Sequence, residues 1–595
     1  MTKRRLFAFA LLGALSACTT LPHPPPPPPP PELAVSGKVE QDGAVEVQIL
    51  AINDFHGNLE PPNLSYDGIK GKVPVGGAAY LATALKQSRT AHSITVAAGD
   101  LISASPLISS LFYDEPTIRF LGGSGLALAA VGNHEFDRGP EELLRMQRGG
   151  CREKKPADTR VSCLFEPFLG AQFQYLAANV VTAEGAALLP ATAIRDIGGV
   201  RIGFIGMTLK ETASLVSPDG VKGIRFTDEA ATANALVPYL LQHGARTIVL
   251  LIHQGATIDG LYDAGGCPGL SGDIVPILSK LDPAIALVVS GHSHNAYICR
   301  VPVAGGGERL LTSAGKFGGM ITDIRLTFGR RGNLDAARAG FVPVQGEPIV
   351  NAKANVPLNP AYPTFAADSA AAALVARYRT ASNETASRPV GRLTATVAWA
   401  ETGNVSPIAQ LIADGQYLAA KDPARGGSDL AFMNAGGART ELVPAADGAV
   451  TYSQLFAMQP FANNIVTLSL TGADLAALME QQFDSGLNTV KRPNLLMPSS
   501  NVRFTVDRSR PAGQRLVSMA IDGKPLVPAR RYRVTVNNFL ASGGDGFSVL
   551  TRGTGVVDAG LDLDATEAYL KSNPSPPALD RITDVTPKGW MAPSS

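Results

Sequence analysis

Five short apolar runs in the first half of the sequence each end in Asp, Asn or His. They cover residues 47–52, 93–98, 126–131, 247–252 and 284–290. Runs of this length are typical of buried strands, and helix-like segments such as 77–89 and 228–243 lie between them. The order strand, helix, strand predicts an α/β fold in which polar side chains gather at the carboxyl ends of the strands.

The polar residues at these strand ends are of the types that bind divalent cations. They are Asp54, His56, Asp100, Asn133, His134, His253, His292 and His294. A lone Asp or His at a strand end is usually a cap or a satisfied polar group, but so many in one domain indicate a shared site. Two divalent ions about 3.5 to 4 Å apart need a bridging carboxylate, with nitrogen and oxygen ligands from several directions. Asp100 suits the bridge, because Gly99 before it allows the backbone to approach closely.

His134 and Asp137 form a candidate acid-base pair. A carboxylate three residues from a histidine can hold the imidazole in one tautomer and one orientation. A helix N-cap is the alternative role for Asp137, because the sequence Gly-Pro-Glu-Glu at residues 139–142 predicts that a helix starts directly after it.

The first 18 residues predict a signal peptide. Residues 3–5 are Lys-Arg-Arg, and residues 6–15 are an apolar run too short to span a membrane as a stable helix. The Leu-Ser-Ala-Cys sequence that follows resembles the bacterial lipobox, which would make Cys18 the lipidated first residue of the mature protein. An ordinary cleaved signal peptide is the alternative.

Residues 19–44 predict a stiff spacer between a lipid anchor and the folded body. Residues 24–31 are consecutive prolines, which adopt polyproline II at about 3.1 Å per residue and so extend roughly 25 Å. A disordered leader is the alternative, with the same consequence for the fold. Thr19, in place of Asp after the cysteine, favours anchoring to the outer membrane, with the body on the periplasmic or cell-surface side.

Export leads us to expect disulfides between the remaining cysteines, which are Cys151, Cys163, Cys267 and Cys299. Four cysteines allow three connectivities. We favour Cys151 with Cys163, because two glycines and the polar residues 152–159 make a short closed loop, and this leaves Cys267 with Cys299. A zinc knuckle is the rival interpretation, but no C-x-x-C spacing supports it.

Length and charge limit the partners. At 595 residues the chain can form two or more domains. A net charge of +1 and 17% charged residues lack the polyelectrolyte pattern of proteins that bind nucleic-acid polymers or anionic membrane surfaces. We therefore expect a monomer that recognises a small molecule in a pocket and meets the membrane only through its N-terminal anchor.

The second half predicts a separate pocket. Prolines near residue 360 precede an Ala-rich helix candidate at 366–379, which we interpret as part of an interdomain linker at 351–387, although a plain surface helix is the alternative. Beyond it, Gly-rich turns at 434–439 and 538–547 carry Asn, Arg, Phe and Asp. Such turns suit a small-molecule pocket, in which two aromatic rings could sandwich a flat base. Each Phe by itself could instead belong to the core.

The motifs of the first half resemble the signature of the calcineurin-like metallophosphoesterases. They are Asp54-x-His56, Gly99-Asp100, Gly132-Asn133-His134-Glu135, His253 and Gly291-His292-x-His294. The resemblance implies a four-layer β-sandwich flanked by helices over residues 45–350, with two metal ions. One ion would be held by Asp54, His56, Asp100 and His294, and the other by Asp100, Asn133, His253 and His292. Nitrogen and oxygen ligands fit zinc, manganese or iron and argue against calcium.

The same resemblance implies that His134 stabilises or protonates the leaving oxygen and that Asp137 orients it.

The motifs of the second half are similar to those of the C-terminal domain of the 5′-nucleotidases. They are Asn434-x-Gly-Gly-x-Arg439, Pro460-Phe461 and Phe539-Leu-Ala-x-Gly-Gly-Asp545-Gly-Phe. This likeness implies a smaller α/β substrate-binding domain at 388–592 that rotates between open and closed states. Phe461 and Phe539 would stack on the base, Asp545 would bind ribose hydroxyls, and Asn434 and Arg439 would contact the substrate.

Together the resemblances imply an exported 5′-nucleotidase that cleaves phosphate esters by attack of water activated between two metals. Alternative substrates for the same site are 2′,3′-cyclic nucleotides and UDP-sugars. A thiosulfohydrolase is a rival of the same fold, and a lipid-anchored nucleotide-binding protein without turnover is a rival of another class.

One departure from the family leaves the substrate open. Relatives carry arginine just before the first long helix of the second domain, whereas residues 397–402 contain none, and a guanidinium clamp is a strong phosphate contact.

Overall fold

Two mixed six-stranded sheets form the centre of the first half in the part of the chain that the structure describes. In spatial order the strands of the first sheet are Leu334–Pro343, Met320–Phe328, Val45–Ile52, Ser93–Ala98, Leu128–Ala130 and Gln174–Leu176. Those of the second sheet are Ala296–Pro302, Glu308–Ala314, Ile285–Ser290, Thr247–His253, Val200–Thr208 and Thr192–Ile197. All five predicted strands are present, and neighbours such as Val45–Ile52 and Ser93–Ala98 run parallel.

The computed structural model describes residues 44–153, 160–216, 218–350, 355–399, 405–461, 463–486 and 488–592. The predicted signal peptide, Cys18 and the proline run lie outside the described residues. Within the described ranges, no helix is both long enough and apolar enough to cross a membrane.

Alternation along the strands builds the predicted four layers. Successive side chains of a strand point to opposite faces of its sheet. Ile49 and Ala51 therefore pack between the two sheets, together with Val249 and Leu251 of the second sheet. Leu50, on the opposite face, packs under the helices of the first layer. The layers are thus helix, sheet, sheet and helix, and the buried acidic and histidine side chains of the site lie at the ends of the central strands.

Helices cover both outer faces of the sandwich. Those of the first half are Ala78–Ser88, Leu107–Ser110, Glu115–Gly123, Pro140–Arg148, Thr212–Leu215, Glu229–Gln242 and Ile274–Leu278. The predicted helix at 228–243 begins after Asp228, whose side chain accepts from the backbone N–H of Ala231, as is usual for an N-cap. A short hairpin, Leu64–Gly68 with Gly71–Val75, lies between the first two predicted strands.

The second half has its own five-stranded sheet. In spatial order its strands are Leu496–Pro498, Leu430–Asn434, Arg531–Asn537, Asn464–Thr471 and Thr554–Leu561. A four-stranded sheet consists of Lys524–Pro525, Leu516–Ile521, Val502–Val506 and Ile582–Asp584. The helices are Pro407–Ala419, Tyr452–Met458, Gly472–Glu480, Asn538–Ala541 and Asp562–Ser572. The mixed α/β class predicted for this half is confirmed.

The Ala-rich segment forms the helix Ser369–Ser387, which Asp368 caps by accepting from two backbone N–H groups. Tyr378 on this helix is buried and its ring meets that of Phe112 at 4.9 Å. The helix packs on Ala78–Ser88 of the first half and on Tyr452–Met458 of the second. One face of the helix therefore packs against both halves while the other is exposed, and both the linker role at 351–387 and the surface-helix alternative stay predictions.

Both favoured disulfides are present. Cys151 pairs with Cys163 at a Cα–Cα distance of 5.5 Å, and Cys267 pairs with Cys299 at 5.6 Å. The second bridge ties the loop after strand Thr247–His253 to strand Ala296–Pro302. The zinc-knuckle alternative is wrong, because every one of these sulfurs is bound to another sulfur.

An ion pair joins the end of the long helix to the C-terminal helix. Both guanidinium nitrogens of Arg388 donate to the carboxylate of Glu567 at 2.7 Å. These hydrogen bonds, together with Lys571, whose Nζ lies 2.9 Å from Oε1, outweigh burial and lower the pKa of Glu567 to about 2. Since the folded-state pKa lies below the ordinary value of 4.5, the pair stabilises the fold above pH 4.5 and loses its effect as the pH falls towards 2.

Glu567→Gln should therefore lower the free energy of unfolding by about 1 kcal/mol at pH 7. Urea unfolding at pH 7 and at successively lower pH measures the difference from wild type, which should shrink as the pH approaches 2. Glu384→Gln, at an exposed position of helix Ser369–Ser387, is the matched control and should change little. A difference that is the same at every pH would contradict the assignment to this ion pair.

Candidate functional site

The residues that the sequence predicts as metal ligands meet at one edge of the sandwich. Asp54 and His56 follow strand Val45–Ile52, and Asp100 follows Ser93–Ala98. His253 ends strand Thr247–His253. The remaining residues of the set, in the turns after strands Leu128–Ala130 and Ile285–Ser290, are Asn133, His292 and His294.

Two triads could each hold a metal ion. The first is Asp54, His56 and His294, and the second is Asp100, His253 and His292. Within each triad the ligand atoms lie within 4.8 Å of one another. The prediction of two divalent metal sites is thereby confirmed.

Asp100 lies between the triads. Its Oδ2 is 3.0 Å from Nε2 of His253 in the second triad and 3.6 Å from Nε2 of His56 in the first. Asn133 lies beside the second triad, with its Oδ1 3.1 Å from Nδ1 of His292. Nε2 of His294 is 3.4 Å from Oδ1 of Asp54. The geometry suits Asp100 as the carboxylate shared by two ions.

The hydrogen bonds of two histidines leave lone pairs that a cation would satisfy. Nδ1 of His253 lies 2.7 Å from the carbonyl oxygen of Ala98, and Nδ1 of His56 lies 2.9 Å from that of Ser103. A carbonyl only accepts, so each Nδ1 carries a proton and each Nε2 is the nitrogen that would present a lone pair to a bound cation. Nε2 of His253 is buried without a hydrogen-bond partner and faces the Asp100 carboxylate. A divalent cation between such acceptors fits this donor set.

Electrostatics of the second triad show how strongly these groups interact. Burial alone would lower the pKa of His253, but the Asp100 carboxylate outweighs it and raises that pKa to about 9. Burial, followed by repulsion from His253, lowers the pKa of His292 to about 4. Asp100 keeps a pKa well below its usual range, because His253 and His134 outweigh the effect of burial. The site therefore favours an ionised carboxylate beside cations.

Gly99 is required by the backbone that delivers Asp100. It has a φ of +84°, and a Cβ there would lie 2.7 Å from both the backbone N of Gly132 and Nδ1 of His253. Any other residue would combine a strained left-handed backbone with a collision against a ligand ring. The close approach inferred from the sequence is thus a feature of the fold.

Glu135 supports the site, although its place in the motif Gly132-Asn133-His134-Glu135 did not predict a role for it. Its buried carboxylate accepts from the backbone N–H groups of Asp100, Leu101 and Gly132 at 3.0, 2.8 and 2.6 Å. Burial and the neighbouring Asp100 raise its pKa to about 7. It holds the turns that carry Asp100 and Asn133 in one arrangement.

His134 and Asp137 are paired as predicted from their spacing. Nδ1 of His134 lies 2.8 Å from Oδ2 of Asp137, and its backbone N–H donates to Oδ1 of Asp100 at 2.9 Å. Asp137 and Asp100 raise the pKa of His134 even though burial opposes them. The N-cap of helix Pro140–Arg148 is Gly139, so the N-cap interpretation of Asp137 is wrong.

The predicted substrate residues form two groups. In one group, Nδ2 of Asn434 donates to Oδ2 of Asp545 at 2.7 Å. The ring of Phe539 fills the space that a Cβ on Gly544 would occupy. Asp545 has a φ of +56°, a conformation that L-residues seldom adopt outside functional turns. This group forms a polar turn with an aromatic wall.

The other group lies against the metal centre. The ring of Phe461 stacks on that of His134 at 5.7 Å with an interplanar angle of 14°. The guanidinium of Arg439 lies 5.9 Å from the centre of the Phe461 ring. Among the described residues, no ring contact joins Phe461 to Phe539. Two side chains of the second half thus reach the acid-base pair of the first.

Contacts between the halves continue beside this group. Helix Thr212–Leu215 of the first half packs against the turn Gly544–Gly546 of the second. Nη2 of Arg492 lies 3.3 Å from Oγ of Ser271. The site is therefore built from both halves of the chain.

Trp399 stands in the stretch 397–402, which contains no arginine. Its side chain is half-exposed, and its Nε1 donates to the backbone carbonyl of Ala438 at 2.6 Å. Residues 400–402 of that stretch lie outside the described residues. Trp399 thus supports the turn that ends in Arg439 and supplies no charge.

Comparisons with known proteins agree with the motifs. The family described as calcineurin-like phosphoesterase matches residues 47–296, and the family described as 5′-nucleotidase, C-terminal domain, matches residues 384–552. The cell wall protein Lmo0130 of Listeria monocytogenes is 31% identical over 562 residues, covering 89% of this chain and 67% of that protein.

Endonuclease YhcR of Bacillus subtilis is 29% identical over 549 residues, covering 90% of this chain, which spans only 40% of that relative's length. The crystal structure of a 5′-nucleotidase precursor from Thermus thermophilus is 25% identical, with a TM-score of 0.71 over 91% of this chain and 99% of that one. Since both family matches, the similarity over most of this chain and the arrangement of the site agree, the chain belongs to the metallophosphoesterases of the 5′-nucleotidase family, which are hydrolases acting on phosphoester bonds.

Proposed function

We propose that the protein is an exported, metal-dependent 5′-nucleotidase that releases phosphate from nucleoside 5′-monophosphates. The observation that carries this proposal is the stacking of Phe461 on His134, with Arg439 beside it. It brings a cation and an aromatic ring from the second half to the acid-base histidine of the first. A substrate with a phosphoryl group and a flat base needs both at once.

The chain's own donors define two metal positions in this proposal. Asp54, His56, Asp100 and His294 would hold one ion, and Asp100, Asn133, His253 and His292 would hold the other. Two divalent ions, when bound, lower the pKa of water and neutralise phosphoryl oxygens. The nitrogen and oxygen ligands fit zinc, manganese or iron and do not choose among these three metals.

His134 is the proposed general acid. Asp137 binds Nδ1, which leaves Nε2 to donate a proton to the ester oxygen as its bond to phosphorus breaks. The raised pKa of His134 keeps the imidazole protonated over a wider pH range than usual, and Asp137 stabilises the resulting cation. The nucleoside leaves as a neutral alcohol.

Arg439 is the proposed phosphate contact from the second half. Burial lowers the pKa of its guanidinium, although Asp100, Asp137 and Asp54 oppose this effect. In the part of the chain that the structure describes, no carboxylate pairs with it within 4.0 Å. A partly buried cation without a carboxylate partner is stabilised when a phosphoryl oxygen binds it. Asn434 and Asp545 would then bind the ribose, with Phe461 and Phe539 on the base.

A second candidate is hydrolysis of 2′,3′-cyclic nucleotides or UDP-sugars at the same site. The specific observation in its favour is Trp399, an uncharged residue in the stretch where relatives use arginine to hold the phosphate. Loss of a guanidinium weakens binding of a simple monophosphate more than loss of a neutral hydrogen bond does.

Export rests on the first 44 residues and on the two disulfides. Disulfides persist in oxidising compartments and are rare in the cytosol. Both Cys151–Cys163 and Cys267–Cys299 are formed. We infer a monomer on the periplasmic or cell-surface side, held through lipid on Cys18, with the outer membrane favoured.

Release of hydrolysis products by protein lacking residues 1–31, resolved by chromatography, tests the proposal, because cleavage of a diester or of a UDP-sugar frees no inorganic phosphate. The substrates are nucleoside 5′-monophosphates, 2′,3′-cyclic phosphates, UDP-glucose and a bis-aryl phosphate, each with EDTA and with added manganese or zinc. We expect metal-dependent release, fastest from a 5′-monophosphate. Activity on the aryl phosphate alone would leave the metal site but contradict the nucleotide pocket.

His134→Ala should lower kcat by about 100-fold or more, since a positioned general acid contributes roughly that factor. The metal content, measured by mass spectrometry after dialysis, should stay at the wild-type level. His243→Ala, at an exposed position on the end of helix Glu229–Gln242, is the control and should retain activity. Loss of both ions from His134→Ala would mean that this histidine is a ligand.

Gly99→Ala should destabilise the protein and reduce its metal content, because the new Cβ collides with the His253 ring. Gly185→Ala is the matched control, because Gly185 has nearly the same φ, +83°, with nothing within 4 Å of its Cβ position. The left-handed backbone alone costs about 1–2 kcal/mol. Urea unfolding and metal analysis should therefore show a larger loss for Gly99→Ala. Equal losses would mean that the collision relaxes without disturbing the site.

A further inference from the structure

The turn between strands Glu308–Ala314 and Met320–Phe328 lies directly on the metal centre. The backbone N–H of Phe317 donates to the carbonyl oxygen of Asp54 at 2.7 Å. The Phe317 ring lies 6.1 Å from the ring of His56 and 5.8 Å from that of His294. The turn therefore forms one wall of the pocket around the first triad.

The backbone of this turn is strained, although a turn that only connects two strands does not need strain. Phe317 has a φ of +58°, which is rare for a bulky residue. Gly315 has a φ of +74°, and a Cβ there would lie 2.1 Å from Oη of Tyr66. That hydroxyl also accepts from the backbone N–H of Lys316 at 3.0 Å. The turn is thus held in one conformation that fixes Lys316 and Phe317.

Lys316 carries a cation into this wall. Its Nζ lies 4.8 Å from the centre of the Phe317 ring. The side chain is partly buried, and its charge interacts with Asp54, His294 and Arg439. Burial, followed by repulsion from Arg439, lowers its pKa. Within the described ranges, no carboxylate pairs with Nζ within 4.0 Å.

Lys316 and Arg439 therefore present two cations to one pocket, one from each half of the chain. Their mutual repulsion is unfavourable unless an anion lies between or beside them. Neither has a carboxylate partner among the described residues, and both lie within electrostatic reach of Asp54. This arrangement points to an anionic ligand with more than one negative charge.

We propose that Lys316 is a phosphate-binding residue that acts with Arg439 to select dianionic phosphomonoesters over monoanionic phosphodiesters. The inference rests on the proposed nucleotidase function and refines its substrate class. Lys316 supplies from the first half the positive charge that the arginine-free stretch at 397–399 does not supply from the second. A 5′-monophosphate then binds more tightly than a 2′,3′-cyclic phosphate, because each cation meets an anionic oxygen.

Steady-state kinetics of Lys316→Met test this role. Methionine preserves the unbranched stem that packs on Phe317 and removes the charge. KM for AMP should rise about tenfold or more, the size expected for a lost charge-assisted contact, whereas kcat/KM for 2′,3′-cyclic AMP should change far less. The inhibition constant of inorganic phosphate should rise with KM for AMP. Lys316→Arg should restore most of the preference for AMP.

Lys70→Met is the matched control. Lys70 also lies over an aromatic ring, with Nζ 5.8 Å from the centre of Tyr362, but in the exposed turn of hairpin Leu64–Gly68 with Gly71–Val75. This variant should leave both substrates and phosphate inhibition unchanged. Thermal unfolding of each variant shows whether the fold is intact, and Lys316→Gln replaces Lys316→Met if the latter does not fold.

Equal losses on AMP and cyclic AMP, with phosphate inhibition unchanged, would overturn the proposal and assign Lys316 to packing. No change on any substrate would also overturn it. If wild-type protein releases no phosphate from any nucleotide, the proposed function fails. Calorimetric binding of inorganic phosphate to manganese-loaded protein then tests Lys316 separately: weaker binding by Lys316→Met supports the phosphate contact, and equal binding rejects it.

Discussion

The buried carboxylate of Asp100 is the interaction on which the rest of the site depends. Its two oxygens meet the His253 ring, lie close to the His56 ring and accept from the backbone of His134. One side chain therefore connects three strand ends to the acid-base pair. Removing a charge from water costs several kcal/mol unless nearby groups compensate it. The surrounding histidines provide part of that compensation, and a bound metal ion would add to it.

The sandwich explains why the polar groups gather where they do. Residues 49–52 of the central strand Val45–Ile52 are covered by apolar side chains on both faces, so a charged residue there would be buried without a partner. The carboxyl end, where the chain leaves the sheet, can hold Asp and His. Glu135 then binds three backbone N–H groups in these turns, which keeps the ligand positions in register with one another.

Two cations, one from each half of the chain, balance the carboxylates of the site. Buried carboxylates dominate the floor of the site, whereas Arg439 and Lys316 are cations without carboxylate partners among the described residues. Phe461 and Phe317 place these cations, since each ring contacts a histidine on one side and a cation nearby. An anionic substrate can then be held by cations on its free oxygens, with the acid-base pair beside its leaving group.

Much of this protein could be predicted from its sequence. Strand lengths, strand ends and the alternation of apolar runs with helices are local patterns, and local patterns are set by nearest neighbours along the chain. They were sufficient for the order of strands and helices, for the residues of both triads and for the pairing of His134 with Asp137, which are close together in the sequence, whereas the four layers followed from the resemblance to a known family. The cysteine pairing also followed from a short loop, because closing such a loop costs little entropy.

Only the tertiary structure decided contacts between residues far apart in the sequence. The stacking of Phe461 on His134, the packing of one face of helix Ser369–Ser387 against both halves and the position of Lys316 beside Asp54 each join segments that are distant along the chain. The sequence contains the residues but not the distances, since those depend on how the two halves pack. Residue types therefore determined the chemistry available to the site, and long-range packing decided which side chains face the same substrate.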